Sequence, residues 1–224
     1  MGIEFIKGNI FNSRTQTVVN TVNCVGVMGK GIALVFKLRY PQMFDLYRQH
    51  CKNKLIGIGT LWLYKGEENH PFVLNFPTKF HWKYPSKVEY LEKGLEKFVQ
   101  TYKEKGITSI AFPLLGTHNG GLDKSIVLDL MYSYLGKCDI PIEIYEYNSS
   151  SPDDLFEDFK KIWNQKSIKE IKAATKIRID RVQTISDRVN SDEVHSMIDL
   201  IKSKDIGSKT MEKCFQFIIN SREL

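Results

Sequence analysis

The sequence predicts an α/β fold, in which helices cover both faces of a sheet, followed by an all-helical segment. Strand-like and helix-like stretches alternate with short links over residues 1–147, which is the pattern of a sheet between helix layers. Beyond residue 147 only helical periodicity recurs. The 224 residues suit one domain with an extension, and a composition of 42% hydrophobic and 26% charged residues is that of a folded globular chain.

Six strands and four helices are predicted within residues 1–147. The strands are rich in β-branched and aromatic residues, and the helices repeat apolar residues every three or four positions. The turn-like GEENHP, residues 66–71, joins the third and fourth strands as a hairpin. The strands are Ile3–Ile6, Thr17–Val22, Gly59–Tyr64, Phe72–Phe76, Ile110–Leu114 and Ile142–Tyr147. The helices are Gly31–Tyr40, Pro41 to about Cys51, Val88–Lys105 and Leu122–Leu135, the last with Ile126, Val127, Leu130, Met131 and Tyr134 facing the core.

The string NSSSPDD, residues 148–154, is the best candidate for a domain boundary. Its Asn, Ser and Pro residues favour a link, and Ser151 or Asp153 can cap the helix that follows. We therefore predict a first domain at 1–147 and a helical C-terminal extension at 148–224. The extension is short for an independent fold, so it either packs on the first domain or binds a partner.

Composition and spacing disfavour several classes of protein. There is no run of 18 apolar residues and no secretory signal pattern at the amino terminus, so we predict no membrane span and a cytoplasmic location. The four cysteines form no C-x-x-C pair and the five histidines are scattered, so we predict reduced thiols and no metal. A net charge of +6 is compatible with an anionic partner, and equally with a surface that is basic by chance.

Two glycine-containing loops each follow a predicted strand and precede a predicted helix. The first is NCVGVMGKGIA, residues 23–33, and the second is LGTHNGGLD, residues 115–123. Glycine lets a backbone approach phosphate oxygens closely, and a helix that starts next adds its positive end. Two such loops at one sheet edge could clamp a diphosphate. Neither has the G-K-[ST] of an ATPase loop or a G-x-G-x-x-G, and the alternative is that the glycines only make turns.

Three segments carry a resemblance to a known family. VVNTVNCVGVMGKGIALVFKLRYP, NFPTKFHW and PLLGTHNGGLD, in this order, resemble the macrodomain family, and more narrowly its DarG-type members. The resemblance covers about residues 1–147. It implies a three-layer α/β/α fold with a mixed central sheet, and an enzyme that needs no cofactor and hydrolyses ADP-ribose from thymidine in single-stranded DNA.

The resemblance also implies a set of ADP-ribose contacts. Asn9 and Ile10 would meet the adenine, Asn20 would support the first loop, and Asn23 would reach the distal ribose, although turn capping is the alternative for both Asn20 and Asn23. The family usually has Asp where this chain has Asn9. The full set is Asn9, Ile10, Asn20, Asn23, Val27, Met28, Gly29, Lys30, Gly31, Ile32, Thr78, Leu115, Gly116, Thr117, His118, Asn119, Gly120, Gly121 and Leu122.

Lys79 is the implied nucleophile. An unprotonated amine can attack the anomeric carbon of ribose or the opened sugar aldehyde, so its pKa should be lowered by burial or by nearby cations. The alternative is a solvated surface lysine. Asp123 is the second candidate catalytic residue, with helix capping as its alternative. His118, where the family often has small residues, is either a proton donor or a loop histidine that faces solvent.

Basic and aromatic residues alternate directly after Lys79. Aromatic rings can stack on splayed bases while cations meet phosphates, so His81, Trp82 and Lys83 are predicted to bind single-stranded DNA. The alternative is that the aromatic rings only anchor this loop to the body of the domain.

Two other functions remain open at this point. One is a non-catalytic sensor of ADP-ribose or a related nucleotide, and the other is an ADP-ribosyl hydrolase that acts on modified protein. The resemblance further implies that the extension could grip a DarT-like toxin. Alternatively, the extension binds DNA or completes the fold of the first domain.

Overall fold

We describe the chain from a computed structural model, which covers residues 2–66, 71–151, 153–203 and 205–222. The chain divides into two compact units, one up to Ser149 and one from Ser150 onward. The first unit contains every predicted strand, and the second is helical.

The first unit is built on a mixed sheet of six strands in the order β1-β6-β5-β2-β4-β3. Only β3 is antiparallel to its neighbour, and the other pairings in the sheet are parallel. The predicted mixed α/β fold is therefore confirmed. The strands are β1 Ile3–Gly8, β2 Thr17–Asn23, β3 Trp62–Tyr64, β4 Phe72–Lys79, β5 Ile110–Pro113 and β6 Ile142–Tyr147, and the helices are α1 Gly31–Arg39, α2 Pro41–Lys52, α3 Val88–Thr101 and α4 Lys124–Leu135.

Alternate residues of the strands feed two separate cores, one on each face of the sheet. On β2, Val19 joins the core that includes α3 and α4 residues, whereas Val18 joins the core that includes Phe36 and Tyr47 of α1 and α2. In α3, Gly94 lets the helix lie directly on the ring of Phe76, since a Cβ there would be 2.2 Å from the ring.

The strand β4 is longer than predicted because it continues through Pro77 to Lys79. A proline cannot donate to a sheet ladder, so sequence reasoning ends a strand before it. Here β3 pairs only with residues Val73 to Asn75 of β4, so Pro77 lies beyond the end of its neighbour on that side. The proposed turn of the β3–β4 hairpin falls partly on residues 67–70, which lie outside the described residues.

One prediction about the core is wrong. Ile126 was expected to face inward from α4, but its side chain is 52% exposed. The fully buried positions of that helix are Val127, Met131 and Leu135, spaced four residues apart. Ile126 lies one position to the side of this stripe, so it faces solvent.

The second unit consists of five described helices around a core of its own. The N-cap residue of the first of them is Leu155, and Asp153 supports the same helix start, because its Oδ1 accepts from the backbone N–H groups of Leu155 at 2.9 Å and Phe156 at 3.2 Å. Its Oδ2 accepts from the N–H of Met197 at 3.2 Å, at the start of the fourth helix. The helices are α5 Phe156–Asn164, α6 Ile168–Thr175, α7 Ile179–Val189, α8 Met197–Lys202 and α9 Ser208–Arg222.

Among the described residues, no helix combines the length and apolar character needed to cross a membrane.

Candidate functional site

Most of the predicted site residues gather at one edge of the sheet. β2, β4 and β5 run parallel, so the first glycine loop, the segment after Lys79 and the second glycine loop all leave the sheet at its carboxyl edge. Asn9 lies at the same edge, directly after the parallel strand β1. The loops that the sequence places far apart are thus neighbours in the fold.

The side chain of Asn23 shapes the first loop. Its Oδ1 accepts from the backbone N–H groups of Val25 at 3.0 Å and Val27 at 3.3 Å, and its Nδ2 donates to the carbonyl of Val27 at 2.5 Å. The buried Tyr47 hydroxyl donates to the backbone carbonyl of Asn23 at 2.5 Å. Asn23 therefore caps a turn, which was the alternative role for this residue. Its contact with the ribose stays a prediction.

Most of the predicted ligand-binding run at residues 27–32 faces solvent. Val27, Gly29, Lys30 and Gly31 are exposed and Ile32 is half-buried, so the two glycines present their backbone to solvent. Met28 is the exception, since it packs into the core and is 3% exposed.

Asn20 lies in the middle of β2 and is fully buried. Its Nδ2 donates to Oδ1 of Asn75 at 2.9 Å and lies 3.9 Å from the Met28 sulfur. Met28 is thus the residue of the first loop that Asn20 contacts, and the supporting role of Asn20 stays a prediction. Within the described residues, the Asn20 Oδ1 has no hydrogen-bond partner.

The second loop folds tightly on itself around Gly120. Leu122 donates to the carbonyl of Gly116 at 3.1 Å, and the carbonyl of Gly120 accepts from the N–H of Ser86 at 2.9 Å. A Cβ on Gly120 would lie 2.1 Å from the Gly116 oxygen, so only glycine fits there. Leu115 is buried and Thr117 donates to the carbonyl of Leu114 at 3.2 Å, so the start of the loop is fixed to the fold.

The two loops come into contact at Gly31 and Asn119. A Cβ on Gly31 would lie 2.6 Å from the side-chain nitrogen of Asn119, and Gly31 has a φ of 60° that favours glycine. Lys79 reaches the same residue from β4, because its Nζ donates to the backbone carbonyl of Asn119. The first loop, the second loop and Lys79 therefore converge on one residue.

Lys79 ends β4 opposite Asn23, where the β2–β4 register shifts. The N–H of Cys24 donates to the Phe80 carbonyl at 3.1 Å, which fixes the backbone on the far side of the lysine. Thr78, next to it, is buried. Partial burial lowers the pKa of the Lys79 amine, which is the direction that a nucleophile requires. This amine is not a freely solvated one.

Asp123 is the N-cap of α4. Its Oδ1 accepts from the N–H of Ser125 at 2.8 Å, from the Ser125 hydroxyl at 2.6 Å and from the N–H of Ile126 at 3.2 Å. These hydrogen bonds, first that from the Ser125 hydroxyl, lower the pKa of the Asp123 carboxyl. Asp123 therefore caps α4, which was the alternative role for this residue. A catalytic role for its carboxylate stays a prediction. His118 is exposed, with its Nδ1 3.2 Å from the Thr117 hydroxyl.

Asn9 and Ile10 start a short 3-10 turn after β1. Oδ1 of Asn9 accepts from the N–H of Phe11 at 3.1 Å, and both Asn9 and Ile10 are buried. The amide oxygen that was predicted to meet the adenine already accepts one hydrogen bond, so its second lone pair is the one left for a ligand.

The segment after Lys79 presents aromatic rings to solvent. His81 stacks on Trp82 with ring centroids 5.6 Å apart, and the Lys83 amine lies 5.3 Å from the Trp82 centroid. Trp82 is 49% exposed, and Phe80 and Tyr84 are exposed further, at 61% and 65%. The anchoring alternative therefore does not describe these rings. We call residues 80–84 the aromatic loop.

A family model described as Macro domain matches residues 19–131, half of the chain. The chain belongs to the macrodomain family. Its macrodomain superimposes on the macrodomain of Mycobacterium tuberculosis DarG with a TM-score of 0.62 and 42% identity, over 64% of this chain and 97% of that one.

Relatives of this macrodomain carry names that describe an activity. A DNA ADP-ribosyl glycohydrolase of Mycobacterium tuberculosis is 47% identical over 54% of this chain and 35% of its own length. A Thermosipho africanus fusion of a DNA ADP-ribosyl transferase with a DNA ADP-ribosyl glycohydrolase is 41% identical over 64% of this chain and 41% of its own length. A structure of Thermosipho africanus DarTG in complex with ADP-ribose matches with a TM-score of 0.62 and 41% identity, over 66% of this chain and 42% of that one. This chain thus spans less than half the length of these relatives.

Sequence reasoning missed several residues that build the macrodomain site. Tyr47 fixes the first loop from α2, and Ser86 fixes the second from the segment before α3. Neither has a local signal, because each acts across a long sequence separation. Phe80 and Tyr84 belong to the same aromatic run as Trp82, and they are more exposed than Trp82.

Among the described residues, no three His, Cys, Asp or Glu side chains are grouped so that they could hold a metal ion.

Proposed function

We propose that this chain removes ADP-ribose from a thymidine base in single-stranded DNA, with Lys79 as the nucleophile. The observation that carries the proposal is the convergence of the Lys79 amine with both glycine loops at Asn119. The lowered pKa of Lys79 supports it, since more of the amine is unprotonated at a given pH. The names of the relatives support the choice of DNA as the modified molecule.

The glycine loops would hold the diphosphate of ADP-ribose between them. The exposed backbone of residues 29–31 and the positive end of α1, which starts at Gly31, suit an anion. With the diphosphate fixed, the terminal ribose would lie against Lys79, and the buried Asn9 and Ile10 would bound the adenine end. A ribose that is held in the correct orientation for attack by Lys79 reacts over a lower activation barrier.

The reaction itself has two stages. The unprotonated Lys79 amine adds to the anomeric carbon of the ribose while the bond to the base nitrogen breaks, and the base leaves with the electron pair. The base takes up the proton that the attacking amine loses. The sugar ring then opens to a Schiff base, and addition of water to that carbon releases ADP-ribose and restores the amine.

The DNA strand would lie along the aromatic loop. Its exposed rings offer flat faces for unpaired bases next to Lys79, and Lys83 offers a positive charge for a phosphate. A DarT-like transferase is the proposed functional partner, since it would make the modified DNA that this chain cleaves. We place the reaction in the cytoplasm, as predicted from the sequence.

A gel assay on a thymidine-ADP-ribosylated oligonucleotide tests the proposal. The wild type should release ADP-ribose, Lys79→Ala should not, and Lys93→Ala, an exposed lysine of α3, should behave as wild type. Calorimetry should show that Lys79→Ala still binds ADP-ribose. Reduction with borohydride during turnover should trap ADP-ribose on the wild type and on Lys93→Ala but not on Lys79→Ala.

Two outcomes would replace the proposal. Tight binding of ADP-ribose without turnover of any conjugate would make the chain a sensor. Turnover of ADP-ribosylated protein but not of modified DNA would assign it to the protein-directed hydrolases.

A further inference from the structure

The second unit contains two helices joined by a sharp turn. α6, Ile168–Thr175, and α7, Ile179–Val189, pack on each other and are separated by residues 176–178. Lys176 adopts the left-handed conformation, with φ 55° and ψ 27°, and Arg178 is extended, with φ −65° and ψ 146°. Two short helices that pack on each other and are joined by a turn of three residues match the length pattern of a helix-turn-helix element.

The buried residues of this element fix the two helices to the unit. Ile171 and Thr175 of α6, Ile177 of the turn, and Val182 and Ile185 of α7 are all buried. The preceding helix α5 also packs on α7, and Nε1 of its Trp163 donates to the Ser186 hydroxyl at 2.9 Å. The helix α9 also packs on α5 and α6, so four helices share this core, and α6 and α7 present to the surface the residues that this packing leaves exposed.

The outer surface of this element is basic. Residues 168–189 contain six Lys or Arg and three Asp or Glu, although the unit as a whole is nearly balanced in charge. Lys169, Lys172 and Lys176 are exposed. Such a concentration of cations on one short element matches the phosphate backbone of a nucleic acid.

The exposed face of α7 carries hydrogen-bonding side chains. Gln183 is exposed, and the half-buried Thr184 donates its hydroxyl to the Asp180 carbonyl at 3.0 Å, which leaves that hydroxyl as an acceptor. Two acidic residues share this face, and both have partners. Asp180 is paired with the Arg178 guanidinium at 3.1 and 3.2 Å, and Asp187 accepts from the Gln183 amide at 3.0 Å.

We propose that residues 168–189 form a helix-turn-helix that binds double-stranded DNA. α7 enters the major groove with its amino-terminal turns, where Gln183 and Thr184 meet base edges, and Lys169 and Lys172 of α6 contact phosphates across the groove. This inference is independent of the glycohydrolase function, because it rests on the second unit alone. Through this element the protein would bind duplex DNA independently of whether a modified base occupies the macrodomain.

Fluorescence anisotropy with the full chain and an unmodified, mixed-sequence duplex tests the inference. We expect binding that weakens steeply with salt. Lys169→Gln with Lys172→Gln should weaken binding and lower the slope of log affinity against log salt by about 2, since each phosphate contact contributes about 0.9. Lys161→Gln with Lys209→Gln removes the same charge from exposed positions on α5 and α9, and should leave the slope unchanged. Gln183→Ala should reduce sequence preference in a selection from random duplexes.

Melting temperatures of all variants establish that they fold. Trp82→Ala should not affect duplex binding, which separates this surface from the aromatic loop. The inference is overturned if the wild type does not bind duplex at low salt, if both double variants lose affinity equally, or if Trp82→Ala abolishes the binding. Capture of a DarT-like transferase through Lys169 and Lys172, without any duplex binding, would also overturn it and assign the surface to a protein partner.

Discussion

The Lys79 amine donates a hydrogen bond to the backbone carbonyl of Asn119, which lies 40 positions further along the chain. This contact joins the end of β4 to the second glycine loop. Because Asn119 also lies against Gly31, the same residue connects the amine to the first loop. A neutral amine that donates one N–H still has its lone pair, so the contact orients the amine without blocking attack.

The rate of hydrolysis should depend on pH through Lys79. Burial lowers the pKa of this amine, and only its unprotonated form attacks, so kcat should rise with pH and level off below the pH at which an exposed lysine loses its proton. A pH profile of single-turnover rates measures this. A profile that still rises through the range of an ordinary lysine would contradict a perturbed nucleophile.

Gly120→Ala should disrupt the second loop. The added Cβ would meet the Gly116 carbonyl at 2.1 Å and the Ser86 hydroxyl at 2.5 Å, so the backbone must move. Overpacking of this kind costs about 1–3 kcal/mol, and we expect a lower melting temperature and weaker ADP-ribose binding. Gly207→Ala, which has open space around its Cβ position, is the control and should change neither.

Asn23→Ala should loosen the first loop. It leaves the N–H groups of Val25 and Val27 without their acceptor, and we expect a loss of about 1–3 kcal/mol in the free energy of unfolding. Asn23→Asp keeps that acceptor, but it replaces the amide donor to the Val27 carbonyl with a carboxylate oxygen and adds a negative charge. Denaturation should therefore show a loss of stability for this variant as well, and calorimetry should show weaker binding of the anionic ligand. Equal ADP-ribose affinity in both variants and the wild type would place the diphosphate elsewhere.

Asp123→Asn separates helix capping from proton transfer. Asparagine caps helices about as well as aspartate. If Asp123 only caps α4, the variant should therefore keep the stability and the kcat of the wild type. Asp123→Ala should cost about 0.5–2 kcal/mol of stability. Loss of kcat in Asp123→Asn at an unchanged melting temperature would instead establish a catalytic role for the carboxylate.

Trp82→Ala should affect long substrates more than short ones. Stacking of a base on an aromatic ring contributes about 1–3 kcal/mol, so KM for a modified oligonucleotide should rise several-fold or more. KM for ADP-ribosyl thymidine alone should not change, because it has no neighbouring bases. Tyr132→Ala, an exposed aromatic residue on α4, is the control. The same rise in KM for both substrates would assign Trp82 to the pocket rather than to the strand.

The parts of the fold that follow from local patterns could be predicted from the sequence. The strand Ile142–Tyr147 and the starts of β2, β4, α1 and α3 fall at the predicted residues, since β-branched runs and helical periodicity mark them directly. The end of β4 could not be predicted, because the tolerance of Pro77 depends on how short β3 is. In the site, the glycine loops could be recognised in the sequence. The contacts of Asn119 with Gly31 and Lys79 could not, because they depend on three chain segments that only the fold brings together.

The carboxylate of Asp153 serves two helices that begin about forty residues apart, with one oxygen on the start of α5 and the other on the start of α8. This shared anchor determines where a protease or a truncation could release the helical unit intact. A fragment that begins before Asp153 keeps both helix starts satisfied, whereas one that begins at Leu155 leaves the buried N–H of Met197 without its acceptor. Limited digestion should therefore leave a resistant piece whose first residue precedes Asp153.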